Sequence, residues 1–255
     1  MVSIVVSNYG EKAQKYLDLC LEAVANLEPA DDAVECIVSS SGAYRPTVPN
    51  FVKHVHSDKD LNFAECVIIC FETVDPSSRY CLFLSDDTIP TRDSLKNLIA
   101  GADGKDVLIA PTSNCDNYFA YVLGFFVPLG DQDGLHITNR FYRYDDWAPH
   151  KQAFMNAKSL YQPGFIFRTF ITGYAFFVSM NLWRKLGGFD SRFANGQEDV
   201  DLCLRARQLG VMPAIALDVL IWHFGGVTTT DAVKDEQRQK NEAYFEQKWG
   251  FKAPT

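Results

Sequence analysis

The first 110 residues alternate short β-rich runs with segments of helical periodicity, and that rhythm restricts the fold more than any other feature of the chain. "VSIVVSN" reads as a strand ending in polar turn residues. "KAQKYLDLCLEAVANLE" follows with Tyr16, Leu17, Cys20, Leu21, Val24 and Leu27 at helical spacing. "VECIVSS" and "FVKHVHS" are two further strands, "NFAECVIICFETV" a second helix and "YCLFLSDD" another strand. "TRDSLKNLIAGA" predicts a helix with Thr91 as its N-cap, and "VLIAP" a strand after it. Strands alternating with helices in this way imply an α/β fold, with a mostly parallel central sheet and helices on both faces. Ligands bind such sheets beyond the carboxyl ends of the strands. Asn8, Ser39 and Asp86 fall at such ends.

The alternation lapses over residues 112–170, which are rich in Asn, Asp, Gly, Pro and aromatic residues. It returns in "ITGYAFFVSMNLWRKLGGFD", a strand and a short helix closed by Gly187 and Gly188. A second helix runs from Glu198 to Leu209 and stops at Gly210. "VLIWHF" predicts a last strand, and "DAVKDEQRQKNEAYFEQKWGF" a polar helix docked through Tyr244, Phe245 and Trp249. No internal repeat or linker divides the 255 residues, so they read as one domain. Its parts would be residues 1–110, 111–230 with the helix at 198, and 231–255.

Charge and cysteine use narrow the partners. A net charge of -8 gives no global electrostatic footprint for nucleic acid. Seven cysteines without a CxxC pair read as buried free thiols in a reducing compartment. The opening "MVSIVVSNYG" lacks the basic and apolar regions of a signal peptide, and no apolar run is long enough to span a bilayer. A cytoplasmic location is therefore expected.

Two acidic clusters carry candidate chemistry. In "NGQEDVDLCLRARQLG", Glu198, Asp199 and Asp201 crowd the first turn of a helix, where the helix dipole favours negative charge. Asp201 can pair with Arg205 four residues on. That leaves Glu198 and Asp199, either of which could act as a general base or hold a cation. In "YCLFLSDDTIP", Asp86 and Asp87 follow an apolar strand, and Thr88-Ile89-Pro90 suits a turn. The pair is either an exposed acidic turn or the site of a divalent cation that carries a diphosphate. His223, in "LIWHFGGVTTT", precedes two glycines that let backbone approach a ligand, with Thr228, Thr229 and Thr230 beyond. Imidazole with carboxylate suits Mn²⁺.

Taken together, "SDD", "GGFDSRFANGQEDVDLCLRARQLG" and "HFGG" resemble glycosyltransferase family 2, the inverting nucleotide-sugar transferases of the GT-A fold. "VSIVVSNYG", "DLNFA" and "YFEQKWG" resemble further segments of that family, so the likeness covers about residues 1–110 and 170–250. The resemblance implies that Asp87 and His223 bind Mn²⁺ or Mg²⁺. It makes Asp199 the catalytic base with Glu198 beside it. Ser7, Asn8, Tyr9, Ser39, Asp60, Ser85 and Asp86 would line the site of a nucleoside-diphosphate sugar. Three positions depart from the family pattern: Ser39 stands in place of an aspartate, Ser85 in place of the first acid of the DxD motif, and Asn62 in place of a glycine. Asp86 is then a candidate for the ribose contact.

The family's middle region shapes the acceptor site. Here residues 134–170 hold Arg140, Arg143, Lys151, Lys158 and Arg168 against Asp145 and Asp146, interleaved with aromatic residues including Trp147. Most of these aromatics read as core. Aromatic and basic surfaces also bind sugar rings, nucleic-acid strands or flipped bases. The acceptor hydroxyl could therefore belong to a glycan, a lipid-linked sugar or a hydroxymethylated pyrimidine in DNA. Thr172, Gly173, Trp147 and Arg143 are its candidate contacts. The rival readings are a nucleotidyltransferase, which would want a Gly-rich phosphate loop, and a nucleotide-sugar-binding protein with an impaired site. Oligomeric state is not legible.

Overall fold

The computed structural model describes residues 1–28, 32–113, 164–225 and 231–253, with backbone alone for 231–235. Nine strands among these residues form one sheet: β1 (Val2–Ser7), β2 (Val34–Ser41), β3 (Val52–Ser57), β4 (Tyr80–Ser85), β5 (Thr88–Pro90), β6 (Leu108–Ser113), β7 (Phe165–Phe167), β8 (Ala175–Ser179) and β9 (Ala214–His223). The helices are α1 (Gln14–Ala25), α2 (Phe63–Glu72), α3 (Ser94–Ala102), α4 (Met180–Leu186), α5 (Glu198–Gln208) and α6 (Asp231–Trp249), with a single 3₁₀ turn at Glu11–Ala13.

Strand order is β3-β2-β1-β4-β8-β6-β9-β5, with β7 alongside β9. The long ladders β1–β2, β1–β4, β2–β3 and β6–β9 are parallel. β8, β5 and β7 pair antiparallel with their neighbours. Alternate side chains of each strand feed two cores, as period-2 geometry requires. Val2, Ile4 and Val6 of β1 join Leu17 and Leu21 of α1 and Leu95 and Leu98 of α3 on one face. Val5 joins Val67 and Phe71 of α2, Trp183 of α4 and Leu202 and Cys203 of α5 on the other. This is the two-layered cover expected from the alternation. The six described cysteines are free and buried, and no described helix is long and apolar enough to cross a membrane.

Four local expectations change. Thr88-Ile89-Pro90 is a strand, not a turn, because it pairs with Ile221–His223 of β9. It lies at the end of the sheet order, where a proline costs no ladder hydrogen bond. The helix after it begins at Ser94 with Asp93 as N-cap. Thr91, expected as the cap, instead directs its hydroxyl to the Leu220 carbonyl at 3.1 Å. Leu209, expected as the last residue of its helix, is half exposed just past the end of α5. β7 lies in a stretch where no strand was legible.

Register positions the site. Ser7 pairs with both Ser39 and Ser85, so the chain leaves β1 and β4 at one level. Successive strands run from β1 outward to β2 and β3 on one side, while β4 lies on the other. That makes the carboxyl ends of β1 and β4 a topological switch point, where open α/β sheets form a crevice.

Candidate active site

A cleft of about 300 Å³ opens at these ends. It brings together Ser7, Tyr9, Ser85, Asp86, Asp87, Gly173, Glu198, Asp199 and His223. Phe63, Tyr174, Asn195 and Gly196 also line it and were not anticipated as site residues. Asn8 and Ser39 are buried but do not line the cleft. Asp60 is exposed and lies against Gly42 instead. Thr172 is exposed next to Gly173. Arg143, Trp147 and Thr228–Thr230 lie outside the described residues, as does most of the basic and aromatic stretch.

The Asp86-Asp87 pair is not an exposed acidic turn, since both residues are buried. Asp86 turns inward: its Oδ2 accepts hydrogen bonds from Asn8 Nδ2 at 3.0 Å and from the Tyr9 N–H at 2.9 Å. It ties the end of β4 to the turn after β1, which leaves this oxygen little capacity for a ribose. Asp87 is placed by the β5–β9 ladder, where Thr88 stands opposite His223. The Phe224 N–H donates to the Asp87 carbonyl at 3.0 Å, and the Gly225 N–H to Asp87 Oδ2 at 3.1 Å. Asp87 Oδ1 then lies 3.4 Å from His223 Nε2. The Tyr174 ring stacks on the His223 ring at 4.6 Å and 15°, and its hydroxyl donates to the Pro111 carbonyl at 2.9 Å. The imidazole is held flat against a fixed support.

The second acid pair sits on the first turn of α5. Asn195, Gly196 and Gln197 precede it with φ of 55°, 145° and 70°. Left-handed backbone at non-glycine residues is costly and clusters at functional sites. Glu198 Oε2 accepts the Gly196 N–H at 2.6 Å. Asp199 Oδ2 accepts the Gly173 N–H at 2.7 Å, and its Oδ1 accepts the Val200 N–H at 2.7 Å. The third acid of the crowded turn has a structural role. Asp201 is fully buried and meets Arg205 Nε at 2.8 Å, Trp249 Nε1 at 3.0 Å and Lys248 Nζ at 2.6 Å.

Two further contacts close the cleft's rim. The Tyr9 hydroxyl donates to Asn195 Oδ1 at 3.2 Å, which also accepts the Phe63 N–H at 3.2 Å. Asn62, noted for standing where a glycine is usual, caps α2: its side chain accepts the Glu65 N–H, Glu65 answers at the Asn62 N–H, and Asn62 Nδ2 donates to the Ser191 carbonyl at 3.0 Å. The asparagine joins α2 to the segment that enters α5.

Electrostatically the cleft is one-sided. Four carboxylates line it, and no lysine or arginine does among the described residues. Burial first, then Asp87, pushes Asp86 up to about 7. Burial first, then Asp199, pushes Glu198 up, and burial pushes Asp199 up as well. A diphosphate brought here meets no cationic side chain among the described lining residues, so a bound cation would be its natural counter-charge. Asp87 and His223 offer one carboxylate oxygen and one imidazole nitrogen, a donor set that suits Mn²⁺. Among the described residues no cluster of three or more protein ligands exists. Two ligands fit a cation whose remaining positions are filled by phosphate oxygens and water, the habit of Mg²⁺-like ions.

No protein-family model matches the sequence, and no curated protein matches it. Solved structures do match in fold. The mannosyltransferase PcManGT from Pyrobaculum calidifontis, in complex with GDP-Man and Mn²⁺, superposes with a TM-score of 0.65 at 14% identity, over 99% of this chain and 65% of that one. GalNAc-T7 with UDP, GalNAc and Mn²⁺ gives 0.62 at 12% identity, over 88% and 43%. S. aureus TarS 1-349 in complex with UDP-GlcNAc gives 0.58 at 11% identity, over 98% and 73%. The chain spans less than two thirds of the first two proteins. At these identities the likeness establishes the architecture: the chain has the GT-A fold of glycosyltransferases.

Proposed function

We propose that this protein is an inverting, metal-dependent glycosyltransferase that moves a sugar from a nucleoside-diphosphate sugar to an acceptor hydroxyl. The observation that carries the reading is the meeting of the Asp87–His223 pair with Asp199 in one cleft at the β1/β4 switch point. The glycosyltransferase fold supports it, as does the presence of nucleotides or nucleotide sugars in the similar structures.

In this reading Asp87 and His223 hold the cation, and Tyr9 borders the nucleotide. A bound Mn²⁺ or Mg²⁺ would supply Lewis-acid stabilisation of the charge that develops on the leaving diphosphate. Asp199 takes the proton of the attacking hydroxyl. Its two oxygens each accept one backbone N–H, which fixes the carboxylate plane and still leaves a lone pair on each oxygen. General-base help of this kind contributes about 10²–10⁴-fold. With one carboxylate acting as base and no covalent step, the anomeric carbon inverts. Glu198 stands beside the base and shares its raised proton affinity. The acceptor approaches past Thr172 and Gly173, with Arg143 and Trp147 as further contacts. A glycan or a hydroxymethylated pyrimidine in DNA both remain acceptors to be tried, and residues 1–110 and 111–230 act as the donor and acceptor halves.

Thermal unfolding with UDP, GDP, CDP and dTDP, each with Mn²⁺ and with EDTA, tests the donor site. A nucleotide at 100 times its dissociation constant adds about 2.7 kcal/mol of stability. A shift with one nucleotide that appears only with Mn²⁺ is expected. No shift with any of the four would leave the reading with the fold alone.

A further inference from the structure

The acids of α5 are presented by a turn that is held from outside the cleft. Asn241, on α6, is buried and does not line the cleft. Its Nδ2 donates to the Gly196 carbonyl at 2.7 Å and to the Ala194 carbonyl at 3.0 Å. Its Oδ1 accepts the Ala194 N–H at 3.3 Å. Gln237 Nε2, one turn earlier on the helix, donates to the same Oδ1 at 2.9 Å, which fixes the way the amide faces. One side chain thus uses both its amide hydrogens and its carbonyl on, or in support of, the segment 194–196.

That segment opens the run of positive φ at 195–197. Such backbone persists only where its surroundings over-determine it. Gly196 is held on both sides: its carbonyl accepts from Asn241 and its N–H donates to the Glu198 carboxylate. Glu198, with Asp199 next in the chain, is thus bonded to a turn that Asn241 holds from the other side. An aspartate could not donate to the two carbonyls, and a leucine of similar size could neither donate nor accept.

We infer that Asn241 is a positioning residue for the Glu198-Asp199 pair, so that α6 sets the geometry of the active site without touching substrate. The inference rests on the function proposed above. Its test uses the full chain with Asn241→Leu and, as a milder variant, Gln237→Ala. Hydrogen–deuterium exchange of residues 193–200 is compared with that of β1 and β4. Donor turnover with water as acceptor is then measured for the donor whose nucleotide raises the wild-type melting temperature with Mn²⁺.

Faster exchange confined to 193–200 is expected in both variants, smaller in Gln237→Ala. The turnover number should fall about 10–100-fold, as for a misplacement near 1 Å, with the donor KM within about threefold of wild type. Unchanged exchange at 193–200 would overturn the inference. So would exchange that rises equally in β1 and β4, or a KM that rises as far as the turnover number falls, since either marks general loosening. If the wild-type chain neither binds a nucleotide nor turns over a donor, the functional reading falls, and the exchange pattern still decides whether Asn241 holds the turn.

Discussion

Gly173 and Asp199 are in direct contact: the Gly173 N–H donates to Asp199 Oδ2 at 2.7 Å, and a Cβ on Gly173 would stand 3.1 Å from Asp199 Cβ and 3.2 Å from Oδ2. The glycine is needed here for close approach, not for an unusual φ. Gly173→Ala should push the Asp199 carboxylate aside by a few tenths of an ångström. Such overpacking costs about 1–3 kcal/mol of stability. Transfer should fall about 10–100-fold, because the base no longer meets the acceptor in line. Steady-state kinetics with an unchanged donor KM would identify the effect as positional. Full activity would mean that Asp199 is not the base.

Asp87 and His223 should act as one unit toward the cation. Asp87→Asn keeps the Gly225 hydrogen bond but removes the charge, and His223→Ala removes the imbedded nitrogen donor. Either should abolish the Mn²⁺-dependent nucleotide shift of about 2.7 kcal/mol expected near 100 times the dissociation constant. Differential scanning fluorimetry reads this directly. A shift that survives in both variants would move the cation elsewhere.

The ligand-free protein should lose stability as pH rises toward 7, through Asp86. Burial first, and then the Asp87 charge, pushes the Asp86 carboxyl up to about 7 in the fold. An unfolded aspartate titrates at about 3.9. Between those values the folded state binds more protons than the unfolded state, so stability falls with rising pH. The melting temperature without ligand should therefore drop from pH 5 to 7.5. Asp86→Asn should flatten that slope and raise the melting temperature at pH 7.5, by about 2–4 °C for each kcal/mol recovered. A variant with the wild-type slope would refute the assignment.

Asp190 should behave in the opposite sense. Burial would raise its carboxyl, but hydrogen bonds from Arg192, Lys248 and Tyr244 outweigh it and hold the group well below the usual carboxylate range. A depressed carboxylate contributes stability above its unfolded pKa, and loses it as pH falls through the folded value. Asp190→Asn should therefore lower the melting temperature at pH 7 and weaken the decline below pH 4, so that the two curves converge in strong acid. Parallel curves down to pH 2 would count against the network.

The sequence was most legible where period and partner are local. β1, α1, α2 and β4 declare themselves by spacing, because each buries one regular face. Asp86, Asp87 and His223 stood out at the ends of apolar strand runs, Glu198 and Asp199 stood out as a crowded helix start, and Tyr9 entered through the family resemblance. Pairing between distant segments was not legible. β5 is three residues long and exists only because β9 runs beside it. Tyr174 follows Gly173 in plain view, yet its use as a stacking surface for His223 depends on β8 and β9 lying near each other in the sheet. Asn241 sits in a polar helix whose sequence advertised only its aromatic residues. Asp60 carried the right charge in the right motif, and the loop turned it toward Gly42.

The pairing of Ser7 with Ser39 and Ser85 also sorts the chain by its tolerance of inserted residues. Lengthening the exposed turn around Asp103-Gly104 leaves the strand ends level and the acids where they are. One residue added inside β4 exchanges the two faces of everything beyond it, since strand side chains alternate. Ser85 would then take the inward place of Asp86 beneath Asn8, and Asp87 would be carried past its place opposite His223. Natural variation in length should collect in the turns and stop short at the strand ends, leaving a map of the cleft in the gaps alone.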